Sequence, residues 1–103
     1  MISLVAGKRS EIAALCRSHR VRRLSLTGSA TRADFAPGSS DLDFVVEFDA
    51  LSPGDHKRAY FGLLADLEAL LGCAVDLIEA QAVRNPFVRQ SIELHLEPVY
   101  AAA

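Results

Sequence analysis

The sequence predicts an α/β fold in which helices pack on one small mixed β-sheet. Three observations support this prediction. Apolar and polar residues alternate from Leu42 to Phe48, as in a strand with one buried face. A leucine-rich segment between Ser52 and Gly72 carries the start and stop signals of a helix. A short apolar run at residues 73–79 follows it as a further strand.

The N-terminal part of the chain is expected to form a helix and then a strand. Residues 5–19 place apolar side chains on one helical stripe, and arginines gather at the C-terminal end, where the helix dipole favours them. The residues of this stripe are Val5, Ile12, Leu15 and Cys16. Val21, Leu24 and Leu26 then indicate a strand, which Gly28 is expected to end.

The helix in the middle of the chain has the clearest boundaries. Ser52 is a suitable N-cap, Pro53 fits the first helical position, and Asp55 occupies the acidic position of a capping box. Gly72 can end the helix in a left-handed conformation. Its apolar stripe consists of Leu63, Leu64, Leu67, Leu70 and Leu71.

The C-terminal part of the chain is expected to add a helix and a short strand. Asn85 and Pro86 would begin the helix, Pro98 would end it, and residues 99–100 could pair with a sheet edge. The apolar residues of this helix would be Val88, Ile92 and Leu96.

Length and composition favour a single soluble domain spanning residues 1–103. Half of the residues are hydrophobic and 23% are charged, as in ordinary globular proteins. The chain opens without a signal peptide and contains no run long enough for a membrane helix, so the cytoplasm is the expected location. Two distant cysteines and three histidines without ligand spacing argue against a zinc site or a disulfide framework.

The charges are distributed unevenly along the chain. Residues 1–33 carry a net charge of +6 and residues 34–103 carry −8, whereas the whole chain carries −2. This asymmetry suggests an anionic ligand or partner at one side and a cation at the other. Alternatively, the arginines between residues 17 and 23 only solvate a helix end.

Asp41 and Asp43 are the first candidate site residues. Two residues apart on a strand, they share a face, with Cα atoms about 6–7 Å apart. Their charges repel one another unless a cation lies between them, and oxygen ligands of this kind suit Mg²⁺. The alternative is a solvated acidic turn without a metal.

Gly28, Ser29 and Arg32 follow the first predicted strand. Glycine lets the backbone approach a ligand closely, and amides that open a short helix can hold phosphate oxygens. The Ser29 hydroxyl and the Arg32 guanidinium would add donors to the same ligand. The alternative is an ordinary turn with Ser29 as N-cap.

Asp76 interrupts the apolar strand at residues 74–78. A carboxylate in dry surroundings is costly unless it is paired. If the two acidic strands are neighbours, Asp76 joins Asp41 and Asp43 on one face of the sheet. The alternative is a pairing between Asp76 and an arginine from another element.

The order of these motifs resembles the nucleotidyltransferases of the DNA polymerase beta superfamily. The closest resemblance is to the minimal nucleotidyltransferase group, which contains many antitoxins paired with HEPN-domain toxins. The matching residues are Gly28, Ser29, Arg32, Asp41, Asp43 and Asp76, within residues 10–80. The sequence departs from the pattern at Ala33, where such proteins often have glycine, and the loop at residues 34–40 varies in length within the superfamily.

The resemblance implies a polymerase-beta-like fold and transfer of AMP from ATP to a hydroxyl group, with release of pyrophosphate. Asp41, Asp43 and Asp76 would be the catalytic residues and would bind two Mg²⁺ ions. Asp76 would also help to remove the proton of the acceptor hydroxyl. The glycine-serine motif and Arg32 would bind the triphosphate of the nucleotide.

The resemblance also implies a protein partner. This partner would be a HEPN-domain toxin, adenylylated on a tyrosine, with the present chain as its antitoxin in a hetero-oligomer. One alternative is a non-catalytic antitoxin that covers its partner. Another is a nucleotidyltransferase that acts on RNA or a small molecule, but the acidic C-terminal two-thirds of the chain argues against a nucleic-acid groove.

The remaining polar residues are expected to have structural roles. The three histidines would lie at helix ends or on helix flanks, and Cys16 would pack in the core. Tyr60 and Tyr100 would be packing residues, although Tyr100 could also belong to a partner interface.

Overall fold

Four helices and four strands lie within residues 1–27, 42–94 and 96–102, which are the residues that the computed structural model describes. The helices are α1 (Ser3–Ala6), α2 (Arg9–Ser18), α3 (Pro53–Leu71) and α4 (Pro86–Leu94). The strands are β1 (Val21–Thr27), β2 (Leu42–Phe48), β3 (Val75–Glu79) and β4 (Glu97–Ala101), and a short 3₁₀ helix (Ala80–Ala82) follows β3.

The four described strands form a mixed sheet in the order β3-β2-β1-β4. β1 is antiparallel to both β2 and β4. β2 and β3 are parallel, because α3 carries the chain back across the sheet between them. The predicted mixed α/β fold is confirmed, and the short pairing expected for residues 99–100 is part of a five-residue strand, β4.

One face of the sheet packs against α2 and α3 to form the hydrophobic core. The fully buried side chains include Ile12 and Cys16 of α2, Leu63 and Leu67 of α3, and Leu42, Phe44 and Val46 of β2. Because side chains alternate along a strand, the polar residues of β2 lie on the opposite face of the sheet. The candidate site therefore lies on the face away from α2 and α3.

The bounds of α3 follow the predicted signals. The Ser52 hydroxyl accepts the N–H of Asp55 at 3.3 Å, and Pro53 is the first helical residue. Gly72 ends the helix in the left-handed conformation with a φ of 68°. These contacts define where the crossover helix between β2 and β3 begins and ends.

Gly62 allows α2 and α3 to meet closely. A Cβ atom at Gly62 would lie only 2.7 Å from Cε1 of His19, which follows α2. With that space open, His19 Nε2 lies 2.6 Å from Asp66 Oδ2 on α3. The end of α2 is thereby joined to the middle of α3 by a polar contact.

The prediction of one helix over residues 5–19 was wrong. α1 ends at Ala6, and α2 begins at Arg9. Gly7 lies at the break, and glycine is among the poorest helix formers. Val5 nevertheless reaches the core, because α1 packs its one buried side chain there.

The C-terminal elements also differ from the prediction. α4 ends at Leu94, so Leu96 is not part of it, and Pro98 lies within β4 instead of ending the helix. β4 is an edge of the described sheet, where the missing N–H of proline is tolerated. β3 begins at Val75, two residues later than predicted. In the part of the chain that the structure describes, no helix is long and apolar enough to span a membrane.

Candidate functional site

Asp43 of β2 and Asp76 of β3 lie directly opposite each other in the sheet. The two strands are parallel, and their register pairs Asp43 with Asp76. Neighbouring strands are about 4.8 Å apart, and residues paired in this way point to the same face. The two carboxylates are therefore neighbours on the face away from the helical core.

Buried residues on both sides determine where these aspartates point. Leu42 and Phe44, which flank Asp43, are fully buried, and the residues that flank Asp76 are buried as well. Since successive side chains alternate between faces, both aspartates must point out of the core. Asp43 is half-buried and Asp76 is exposed. Asp76 is therefore accessible to solvent, although its apolar neighbours in the sequence suggested a desolvated carboxylate.

Thr27 of β1 extends this pair to a row of three polar residues. The register pairs Thr27 with Asp43, so the row runs from β1 through β2 to β3. Thr27 is only 4% exposed, and its hydroxyl donates to the Ile92 carbonyl of α4 over 3.5 Å. This contact holds α4 beside the row. Thr27 was not among the predicted site residues, although its place directly before Gly28 was a usable signal.

Gly28, Ser29, Arg32 and Asp41 lie outside the described residues. Their roles in binding phosphate and metal therefore stay predictions, as does the end of β1 at Gly28. Asp43 is the part of the Asp-x-Asp motif that the structure describes, and the register brings it to Asp76.

The carboxylate pair suits a hard divalent cation. Within residues 1–27, 42–94 and 96–102, no group of three or more His, Cys, Asp or Glu side chains could hold a metal ion. Mg²⁺, however, is commonly held by one or two carboxylates together with waters and the phosphates of a substrate. Two carboxylates at the spacing of adjacent strands are a donor set of that kind, so the residues present fit Mg²⁺.

Side chains of α3 bind the outer edge of β3, which the sequence analysis did not predict. The Tyr60 hydroxyl donates to the Leu77 carbonyl at 2.6 Å, and Glu68 Oε2 accepts the N–H of Val75 at 3.1 Å. Tyr60 is therefore more than a packing residue. The spacing of eight residues between Tyr60 and Glu68, which places them near one side of a helix, was a signal in the sequence.

Burial raises the pKa of Tyr60, and the negative charges of Asp76 and Glu79 raise it further. The Tyr60 hydroxyl therefore keeps its proton beyond the range near pH 10 in which a free tyrosine ionises. It remains a hydrogen-bond donor at neutral pH.

Each of the two described histidines lies beside a carboxylate of another element. His56 Nε2 lies 2.5 Å from Glu79 Oε1, and its ring contacts Phe48 edge-on with centroids 5.2 Å apart. His19 pairs with Asp66 between α2 and α3. His95 lies outside the described residues.

Clefts open beside β2 and β3 in the part of the chain that the structure describes. A cleft of about 670 Å³ opens at the outer edge of β3 and is lined by residues that include Tyr60 and Leu77. A groove of about 450 Å³ crosses the sheet beside Val45 and Ser25. Val45 is two residues beyond Asp43 on the same strand, so this groove borders the carboxylate face. Its volume is within the range of small-molecule sites.

Comparison with known proteins identifies similar chains. A family model for the nucleotidyltransferase domain matches residues 9–98. A Methanocaldococcus jannaschii protein, provisionally named a protein adenylyltransferase, is 36% identical over an alignment of 92 positions; the match covers 82% of this chain and 90% of that protein.

Solved structures share the fold. One that is provisionally described as a minimal nucleotidyltransferase has a TM-score of 0.72 at 30% identity and covers 94% of this chain and 96% of its own. Another contains the tri-AMPylated Shewanella oneidensis HEPN toxin in complex with an MNT antitoxin. Its matching chain has a TM-score of 0.64 at 19% identity, over 95% of this chain and 73% of its own.

Proposed function

Because this chain belongs to the nucleotidyltransferase domain family, we propose that it transfers AMP from ATP to a hydroxyl group of a protein. We further propose that this acceptor is a HEPN-type toxin, modified on a tyrosine, and that the chain acts as its antitoxin. The pairing of Asp43 with Asp76 on one face of the sheet carries the proposal.

Two similarities support a protein acceptor and ATP as donor. The relative that is provisionally named a protein adenylyltransferase matches this chain over 90% of its own length. A structure with the same fold comes from a complex in which the HEPN toxin carries AMP groups. A protein that presents its own hydroxyl group needs no deep substrate pocket on the transferase.

The proposed reaction exchanges one phosphorus–oxygen bond for another. The acceptor oxygen forms a bond to the α-phosphorus of ATP, while the bond from that phosphorus to the bridging oxygen breaks and pyrophosphate leaves. The proton of the acceptor hydroxyl goes to the Asp76 carboxylate, which is exposed and so accessible to an incoming side chain. Asp43 is half-buried between fully buried neighbours, and this fixes its position relative to Asp76.

Asp43 and Asp76 would hold Mg²⁺ together with the predicted ligand Asp41. When bound, Mg²⁺ neutralises the charge of the triphosphate and of the pyrophosphate leaving group. Gly28, Ser29 and Arg32 would bind the triphosphate through backbone amide, hydroxyl and guanidinium donors. Most of the rate enhancement would come from this positioning and charge stabilisation.

The test is to incubate the purified chain with Mg²⁺, ATP and its HEPN-type partner, and then to weigh the partner by mass spectrometry. We expect the partner to gain AMP. Asp43→Asn should abolish the gain, as should Asp41→Asn combined with Asp43→Asn, whereas Asp76→Asn should reduce it. Glu47→Gln is the matched control, because Glu47 lies on the same strand and face as Asp43 but four residues away.

Titration and single-turnover measurements separate the roles of the two aspartates. Asp76→Asn should slow transfer more than it weakens ATP binding, because its carboxylate serves the acceptor. A wild-type chain that binds its partner tightly but leaves the partner's mass unchanged would contradict catalysis and identify a binding module. Transfer at the wild-type rate by Asp43→Asn would show that the site has been assigned wrongly.

A further inference from the structure

β3 has one edge that no described strand pairs with. On its other edge, β3 is bonded to β2: the Leu42 N–H donates to the Ala74 carbonyl at 3.0 Å. Asp76, two residues after Ala74, belongs to the same pairing with β2. Since backbone groups alternate in direction along a strand, the N–H and carbonyl groups of Val75 and Leu77 point to the other side, away from β2. This outer edge belongs to the strand that carries Asp76.

Side chains of α3 occupy this edge at successive outward positions. Glu68 accepts the N–H of Val75, and Tyr60 donates to the carbonyl of Leu77. At the end of the strand, the His56 ring meets the carboxylate of Glu79. The residues on α3 are separated by four and eight positions, so they lie near one side of the helix. Side chains of a helix thus form hydrogen bonds with backbone groups that a neighbouring strand would otherwise bond.

Tyr60 makes the contact that lies next to Asp76. Its bond to the Leu77 carbonyl is 2.6 Å long, and Leu77 directly follows Asp76 in the chain. The Leu77 side chain is buried in the core, whereas Asp76 points to the opposite face. A shift of the backbone at Leu77 would therefore move Asp76 relative to Asp43.

We propose that Tyr60 is a positioning residue for Asp76, because its hydroxyl holds the outer edge of β3 at Leu77 and thereby sets the distance between the Asp76 and Asp43 carboxylates. This inference rests on the proposed function, in which Asp76 takes the proton of the acceptor. Tyr60 acts on Asp76 through the backbone of β3, to which its hydroxyl is bonded. A small misplacement of a reacting group has a large effect on rate, so this single bond is expected to matter.

The test removes only the hydroxyl, by Tyr60→Phe. We expect kcat for AMP transfer to fall about tenfold, while the KM for ATP stays within about twofold. Ser10→Ala removes an exposed hydroxyl on α2, away from β3, and should leave both constants unchanged. Leu70→Ala on α3 removes a partly buried side chain that packs against the core, and it controls for lost stability alone.

If Tyr60 has only a structural role, Tyr60→Phe and Leu70→Ala should each lose kcat in proportion to the loss in the free energy of unfolding. Positioning predicts a larger loss of kcat for Tyr60→Phe at equal stability. Equal losses, or an unchanged kcat in Tyr60→Phe, would overturn the inference.

Amide hydrogen exchange in the nucleotide-free protein gives a readout that does not depend on activity. In Tyr60→Phe we expect faster exchange in β3 and unchanged exchange in β4. Unchanged exchange in β3 would contradict the inference that Tyr60 holds this strand in place. A wild-type chain without any transfer activity would contradict the proposed function instead, and the exchange comparison would then decide by itself whether Tyr60 holds β3.

Discussion

Cys16 and Cys73 show how strongly the surroundings of a side chain determine its chemistry. Cys16 is fully buried on α2, and burial raises the pKa of its thiol to about 12, partly offset by the charge of Arg17. Cys73 lies between α3 and β3 and is half-buried. Because the thiolate is the reactive form of cysteine, the two positions should differ in reactivity.

We expect a colorimetric disulfide reagent to modify Cys73 of the native protein and to leave Cys16 unreacted at about pH 8. Unfolding in denaturant should expose both thiols. Cys73→Ser should abolish the reaction of the native protein, and Cys16→Ser should leave it intact. Rapid modification of Cys16 in the native state would show that α2 opens readily from the core.

At the scale of secondary-structure elements, α3 bonds directly to the strand that carries Asp76. In its first turn, the Ser52 hydroxyl accepts the Asp55 N–H, and the Arg58 guanidinium donates to the Asp55 carboxylate. Hydrogen bonds from Arg58 and then from Ser52 lower the pKa of Asp55. This contribution to stability is present at neutral pH and is lost as the pH falls through the lowered pKa.

Removal of the N-cap should therefore destabilise the whole chain. We expect Ser52→Ala to lower the free energy of unfolding by about 1 kcal/mol, as measured by urea denaturation followed by circular dichroism. Ser10→Ala is the control, because Ser10 is an exposed residue inside α2 and alanine suits that position. An unchanged midpoint for Ser52→Ala would mean that tertiary packing alone sets the start of α3.

At the scale of the whole molecule, one core supports both the sheet and the site. Leu67 of α3 is fully buried in the same cluster as Phe44 and Leu77, the residues that flank Asp43 and Asp76 in β2 and β3. The orientation of the two carboxylates therefore depends on the packing behind them.

We expect Leu67→Ala to lower the free energy of unfolding by about 2–5 kcal/mol, because it leaves a cavity in the core. Leu94→Ala should change it by less than about 0.5 kcal/mol, since Leu94 is 72% exposed. Denaturant titration of both variants measures the difference. A loss in Leu94→Ala comparable to that in Leu67→Ala would show that α4 contributes to the core.

Much of the local structure could be predicted, because its determinants are close together in the sequence. The alternation in β2 and the caps of α3 each depend on fewer than about 20 neighbouring residues. The break at Gly7 and the position of Pro98 inside β4 were missed, because a stripe of apolar residues does not show where a backbone leaves the helix or where an edge strand begins.

Local patterns in the sequence identify the candidate acidic residues. They also predict the face of the strand on which each one lies, because alternation is a property of neighbouring residues. Which strands lie side by side, and in which register, depends on contacts between distant parts of the chain. The pairing of Asp43 with Asp76 and the bond from Tyr60 to Leu77 are contacts of this kind. They exist only once the core has brought β2, β3 and α3 together.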